Sequence, residues 1–147
     1  GSAGRGVLMA WVVDSCVMLD VGLGASVWSV SSARLLDRFV ADGLAACPVS
    51  MVEIAPYFDG DVEKERVFLD QLEIRHDWDW MPEDTETAAE AWARQVYLKR
   101  DKRVGKRPVA DILIGAFAMR AGGLLTRNAC HFKTVFPGLR IEAPVLS

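Results

Sequence analysis

Asp14, Glu53, Asp111 and Asn128 carry side-chain oxygens, and each follows a predicted strand or lies near the start of a predicted helix. Three carboxylates and an amide on one rim would repel one another unless something cationic sat among them. Mg²⁺ or Mn²⁺ suits such hard oxygen donors, commonly through one or two carboxylates, with waters left that substrate phosphates can replace. The chemistry open to that donor set is metal-assisted phosphodiester hydrolysis. Taken singly, each residue also has a structural explanation. Asp14 can turn the chain after a strand, and Asn128 is common turn chemistry. Glu53 stands three residues after Ser50, where a capping box would return its carboxylate to the helix start. Asp111 complements the dipole of a first helical turn.

Whether these groups meet depends on the elements that carry them. Apolar runs of strand length alternate with segments of helical period. That pattern predicts an α/β fold, with a doubly wound, mostly parallel sheet of four to five strands flanked by helices. Leu8–Val13 reads as the first strand and Leu44–Cys47 as the second, closed by Pro48. Between them a helix is predicted over Ser32–Ala41, capped by Ser31 or Ser32 and ended by Gly43. Ser50–Glu53 starts the next helix, which stops near Pro56 to Gly60, and Val62–Leu72 forms another. Ile74–Trp80 reads as a short strand followed by an aromatic turn, and Asp84–Arg103 as the longest helix. Pro108 suits the first turn of a helix through Met119, ended by Gly122. Leu124–Thr126 is a fourth strand and Leu139–Ile141 a weak last one. In such sheets ligands bind beyond the carboxyl ends of the strands, where the strand order reverses. All four oxygen-bearing residues are candidates for that rim.

The bulk properties narrow the class. A chain of 147 residues suits one domain, read as residues 9–147, with residues 1–8 taken as a cloning remnant or disordered N-terminus. No apolar run approaches the roughly 18–20 residues that span a bilayer, so no membrane partner is expected. Cys16, Cys47 and Cys130 are odd in number and widely spaced, with two histidines in all. That argues against structural zinc and for free thiols in a reducing cytoplasm. A net charge of −3 argues against coating nucleic acid by bulk electrostatics.

Local strings add a family resemblance. Val12-Val13-Asp14-Ser15 resembles the opening strand of PIN-domain nucleases, and Ser50-Met51-Val52-Glu53-Ile54 is similar to their S-x-x-E helix start. Pro108 to Ala116 looks like their D-x-L-I-A-A helix. Leu125-Thr126-Arg127-Asn128 with His131-Phe132 resembles the T-R-N-x-x-H/D-F segment of VapC toxins, and Pro137–Ile141 their usual ending. The blocks appear in the family's order and span nearly the whole chain from Leu8. The resemblance implies a metal-dependent endoribonuclease, the toxin of a type II toxin–antitoxin pair, commonly a homodimer with a cognate antitoxin as partner. It implies Asp14, Glu53 and Asp111 as ligands of Mg²⁺ or Mn²⁺, and Asn128 as a fourth catalytic position where many relatives carry Asp. A neutral amide there would hold a second metal more weakly. Ser15 and Thr126 would orient the ligands by hydrogen bonds. His131 is expected to be a hydrogen-bonding or structural group rather than a ligand.

Lys99, Arg100, Lys102, Arg103, Lys106 and Arg107 concentrate positive charge before the Asp111 helix, and Arg127 and Lys133 could extend it. Two readings stand: a solvated helix end, or a patch that positions RNA phosphates. Trp78 and Trp80 could stack bases, but core or partner contacts are favoured. An exposed apolar groove, partly lined by the early helices, is expected for the antitoxin. Three other functions compete. They are an RNA-processing PIN nuclease without an antitoxin, a PIN-like binding module with weak or lost catalysis, and a different α/β phosphotransfer enzyme. The last lacks support, because Asp14-Ser15-Cys16 has no second Asp and the chain has no glycine-rich phosphate loop.

Overall fold

The computed structural model describes residues 10–100 and 109–146. Strands β1 (Trp11–Val13), β2 (Leu44–Ala45), β3 (Ile74–Arg75), β4 (Gly123–Leu125) and β5 (Ile141–Glu142) form one sheet in the order β3-β2-β1-β4-β5. Every pairing is parallel, with Trp11 opposite Leu44 on one side and Gly123 on the other. The fold is α/β and doubly wound. The order reverses between β1 and β4, so a crevice opens beyond Val13 and Leu125.

Alternation along the strands splits the core in two. Trp11, Val13, Leu44, Ile74 and Leu125 face one side, where they pack with Val17 and Met18 of α1 (Ser15–Leu23) and Leu35 and Leu36 of α2 (Ser29–Phe39). Ile54 of α3 (Pro48–Ile54) and Leu69 of α4 (Val62–Gln71) complete that layer. Val12 and Leu124 face the other side, against α5 (Pro82–Arg100), α6 (Val109–Met119) and α7 (Ala129–Val135). Side chains from the strands thus alternate between two helical layers, as the pleat requires. Trp78 and Trp80 cover Phe117 of α6, with ring centroids 6.4 and 6.2 Å away, and belong to the core as expected. Among the described residues no helix is long and apolar enough to cross a membrane.

Several boundaries differ from the sequence reading. Helices α1 and α7 lie where no helix is predicted. The α1 segment SCVMLDVGL is apolar almost throughout and has no polar stripe for periodicity to detect. Its start is fixed by Asp14, whose carboxylate accepts from the Ser15 amide, and its end by Gly24 at φ 64°. Helix α2 begins at Ser29 after Trp28, so Ser31 and Ser32 are buried within it and cap nothing. Helix α3 begins at Pro48 after Cys47, which places Ser50 inside the helix and removes the expected capping box. The fixed φ of Pro48 already suits a first helical position, so the chain turns three residues early, capped at Cys47 rather than Ser50. Thr126 lies just beyond β4, and β5 starts at Ile141 rather than Leu139. The N-terminal residues 1–8, Lys102, Arg103, Lys106 and Arg107, and the side chains of Lys99 and Arg100, lie outside the described residues, as does the Pro108 helix start.

Candidate functional site

Asp14 is the centre of the site. It follows β1 directly, and its amide donates to the Leu125 carbonyl (2.9 Å), which extends the β1–β4 ladder by one rung to the crevice. Its side chain is 4% exposed. One carboxylate oxygen accepts from the Ser15 amide at 2.8 Å, the other from Thr126 Oγ1 at 2.6 Å. Cys16 Sγ lies 3.5 Å from the same oxygen that Thr126 holds. Burial pushes the Asp14 pKa above the ordinary carboxylate range, the hydrogen bonds oppose that shift, and the charge of Asp111 adds to it. Asp14 and Asp111 therefore act on each other as like charges. Sequence reasoning places both on this rim, and the charge of Asp111 is felt at Asp14.

Glu53 arrives by a different route from the one its spacing suggests. With α3 starting at Pro48, Glu53 lies late in the helix and exposed, and its carboxylate accepts from Ser15 Oγ at 2.7 Å. Ser15 thus links two acids, through its amide to Asp14 and through its hydroxyl to Glu53. Ser50 Oγ is buried and has no hydrogen-bond partner among the described residues. Asn128 is the N-cap residue of α7 with no side-chain cap bond, and its amide N–H donates to Thr126 Oγ1 at 3.0 Å. Thr126 therefore holds the Asn128 backbone and the Asp14 carboxylate together.

His131 Nε2 lies 3.2 Å from Asp111 Oδ2. Arg127 is not a free phosphate contact. Its Nε is 3.1 Å from Asp20 Oδ2 and its guanidinium lies over the Trp28 ring at 5.5 Å. Asp20, a further acid near the crevice and buried like Asp14, also accepts from Ser32 Oγ at 2.8 Å. Sequence reasoning missed Asp20 because it sits inside an undetected helix; its one signal was a lone acid in an apolar run. Lys133 is exposed in the last turn of α7.

Among the described residues no three His, Cys, Asp or Glu side chains converge closely enough to hold a metal together. The donor chemistry nevertheless fits an oxygen-seeking divalent cation. Asp14 and Asp111 are a like-charged pair, and Mg²⁺ commonly takes one or two carboxylates and fills its remaining sites with water or phosphate. Cys16, Cys47 and Cys130 are free thiols. Burial pushes Cys16 up to about 11 and Cys47 up to about 12, so neither is a ready thiolate nucleophile or soft-metal ligand.

Two cavities flank this layout. One, of about 390 Å³, opens beside α1 and is lined by Cys16, Asp20, Ser26, Tyr57 and Arg127 among others. The other, of about 430 Å³, is apolar and lies between α5 and α6, around Trp80, Trp92, Val109 and Leu113. Of the early helices α3 reaches the second through Val49, and the rest of its described lining comes from Trp80, α5 and α6.

No family model and no curated protein matches the sequence. A solved structure does match: a chain of the "Crystal structure of VapBC2 from Rickettsia felis bound to a DNA fragment from their promoter". The TM-score is 0.68 at 17% identity, over 93% of this chain and 100% of that one. At that identity the likeness establishes the fold: this chain is an α/β protein with an all-parallel, PIN-like sheet.

Proposed function

We propose that the chain is a divalent-metal-dependent endoribonuclease and the toxin of a type II toxin–antitoxin pair. The observation that carries the reading is the buried Asp14 carboxylate at the topological switch point, held by Thr126 and Ser15 and set against the charge of Asp111. Capping α1 needs only the Ser15 amide; the Thr126 hydroxyl from beyond β4 and the charge of Asp111 are more than a chain-turning aspartate requires. Asp14 and Asp111 would hold Mg²⁺ or Mn²⁺, with Glu53 next to them through Ser15. The bound cation would supply Lewis-acid stabilisation of charge at the phosphodiester.

The chain's own residues do the rest. Thr126 and the Ser15 amide fix the Asp14 oxygens, so the carboxylate pays no reorganisation when substrate arrives. Ser15 Oγ orients Glu53, placing an exposed base within one residue of Asp14. Asn128, held by Thr126, presents a neutral amide on the same rim. Water attacks phosphorus in line and the bond to the 3′ oxygen breaks, leaving a 3′-hydroxyl and a 5′-phosphate. The neighbour was solved as VapBC2 with promoter DNA, which supports an antitoxin as the partner of this chain too.

A second reading, a PIN-like binding module without catalysis, is favoured by one contact. His131 already sits against Asp111 and, when protonated, supplies a positive charge that a metal would otherwise bring. The test is end-group analysis of RNA incubated with purified protein and Mg²⁺, beside a calorimetric Mn²⁺ titration of the free protein. Products with 5′-phosphate and Mn²⁺ binding lost in Asp111→Asn support the nuclease. Products with 2′,3′-cyclic phosphate contradict metal-assisted hydrolysis. Intact RNA with no Mn²⁺ binding favours the module.

A further inference from the structure

We infer that the cavity beside α1 receives the nucleobase of the nucleotide adjoining the scissile phosphate, with Tyr57 as its stacking face and the Asp20–Arg127 pair as its polar wall. The inference rests on the ribonuclease reading and deepens it from a reaction to a substrate contact.

Position comes first. Cys16 lines the cavity, and its thiol is 3.5 Å from Asp14 Oδ2. Arg127 lines it too and directly follows Thr126, whose hydroxyl holds the same Asp14 oxygen at 2.6 Å. Whatever fills the cavity therefore lies beside the carboxylate around which cutting is proposed.

Charge decides what the cavity takes. A lone guanidinium would suit a phosphate, but Arg127 is paired with Asp20 at 3.1 Å, and Asp20 is only 3% exposed. The pair has little net charge and offers donors from one side and an acceptor from the other. That suits a neutral group with both kinds of edge. The arginine is also stacked on Trp28 at 5.5 Å, which fixes its fork before anything binds.

Shape points the same way. Tyr57 lines the cavity from the turn after α3 and is 54% exposed, an aromatic ring that the core does not use. Sequence-tolerant RNA sites present such rings to splayed, unstacked bases. Stacking on one ring is worth roughly 5- to 100-fold in affinity per base. The cavity's volume of about 390 Å³ leaves room for a base with part of its ribose.

The test is a cycle between ring and base. Wild type and Tyr57→Ala are compared in Mg²⁺ on a single-stranded RNA that wild type cuts, and on the same RNA made abasic at each nucleotide flanking the cut in turn. Tyr57→Trp serves as the conservative control. Tyr57 is exposed, so the fold should hold, and melting curves check it. For wild type, removing one flanking base should raise KM roughly 5- to 100-fold. Tyr57→Ala should raise KM by a similar factor on intact RNA, with little further loss on the abasic RNA, while Tyr57→Trp stays near wild type. Additive losses, or an unchanged KM in Tyr57→Ala while wild type cuts normally, would overturn the subsite alone. A wild type that cuts no RNA in any metal would overturn the ribonuclease reading and the subsite with it.

Discussion

Thr126 Oγ1 donates to Asp14 Oδ2 across 2.6 Å, joining residues 112 positions apart in the chain. The bond closes the carboxyl ends of β1 and β4, the two strands between which the sheet order reverses. Thr126 is fully buried, so its hydroxyl has no water to fall back on. Thr126→Val keeps the shape and removes the donor. Its cutting rate should fall roughly 10- to 100-fold, as for groups that orient a metal ligand, and the fold should lose about 1–2 kcal/mol. Single-turnover cleavage and denaturant melts measure both; an unchanged rate would mean that Asp14 needs no orienting.

The Asp20–Arg127 pair should matter to stability apart from any RNA contact. Arg127→Ala leaves a buried carboxylate with Ser32 as its remaining hydrogen-bond donor. Asp20 is buried but Arg127 is partly exposed, so removing the arginine should cost about 1–3 kcal/mol, below the loss from a fully buried pair. Urea unfolding of Arg127→Ala against wild type reads that loss directly, and a shift below about 0.5 kcal/mol would show the pair to be as weak as an exposed one.

Gly115 and Gly123 mark close approaches that no side chain can share. A Cβ on Gly115 would stand 2.3 Å from the Phe136 ring, which is itself buried. One on Gly123 would meet the Trp11 ring at 2.5 Å and the Arg140 carbonyl at 2.7 Å. Gly115→Ala should cost about 1–3 kcal/mol by overpacking. Gly123→Ala should cost more, because backbone of the neighbouring β5 side cannot swing away as a side chain can. Paired melting curves would show that order, and the reverse order would contradict it.

Glu65 predicts a pH dependence. It is 1% exposed on α4, neither carboxylate oxygen has a hydrogen-bond partner among the described residues, and burial raises its pKa. A raised folded-state pKa means that the folded protein binds the proton more tightly than the unfolded chain. The stability it contributes is fully present below the unfolded value, about 4.3, and is lost as pH rises through the folded value. Glu65→Gln, which has no charge to bury, should therefore melt higher than wild type at pH 7, and the gap should close as pH falls towards 4. A gap that widened on acidification would reverse the sign and refute the assignment.

Legibility from sequence followed the strength of the local signals. The end of β1 is clear because its apolar run stops at Asp14, whereas the ends of the later strands shift by one residue or more. Asp14 and Asp111 are legible as rim candidates, and Thr126 as a group that orients Asp14. Helix α1 was not, since its apolar run leaves no periodic face, and Asp20 was lost with it. Glu53 reaches the Ser15 hydroxyl by a different local route from the one its spacing suggests. The Ser50 spacing mimics a capping box, but Pro48 starts the helix first, and Glu53 is left to meet Ser15 38 positions away in the chain. The Arg127–Asp20 pairing joins the β4–α7 turn to α1, a distance in sequence that no local pattern reports.

The claim that Asp14 anchors a metal-dependent ribonuclease is tested most directly by incubating wild type and Asp14→Asn with single-stranded RNA in Mg²⁺, Mn²⁺ and EDTA. The account predicts cutting by wild type in either metal, none in EDTA, and a loss of at least about 1,000-fold in Asp14→Asn, or about 4 kcal/mol of barrier, with its melting temperature retained. Cutting that survives EDTA, or an Asp14→Asn protein as active as wild type, would contradict it.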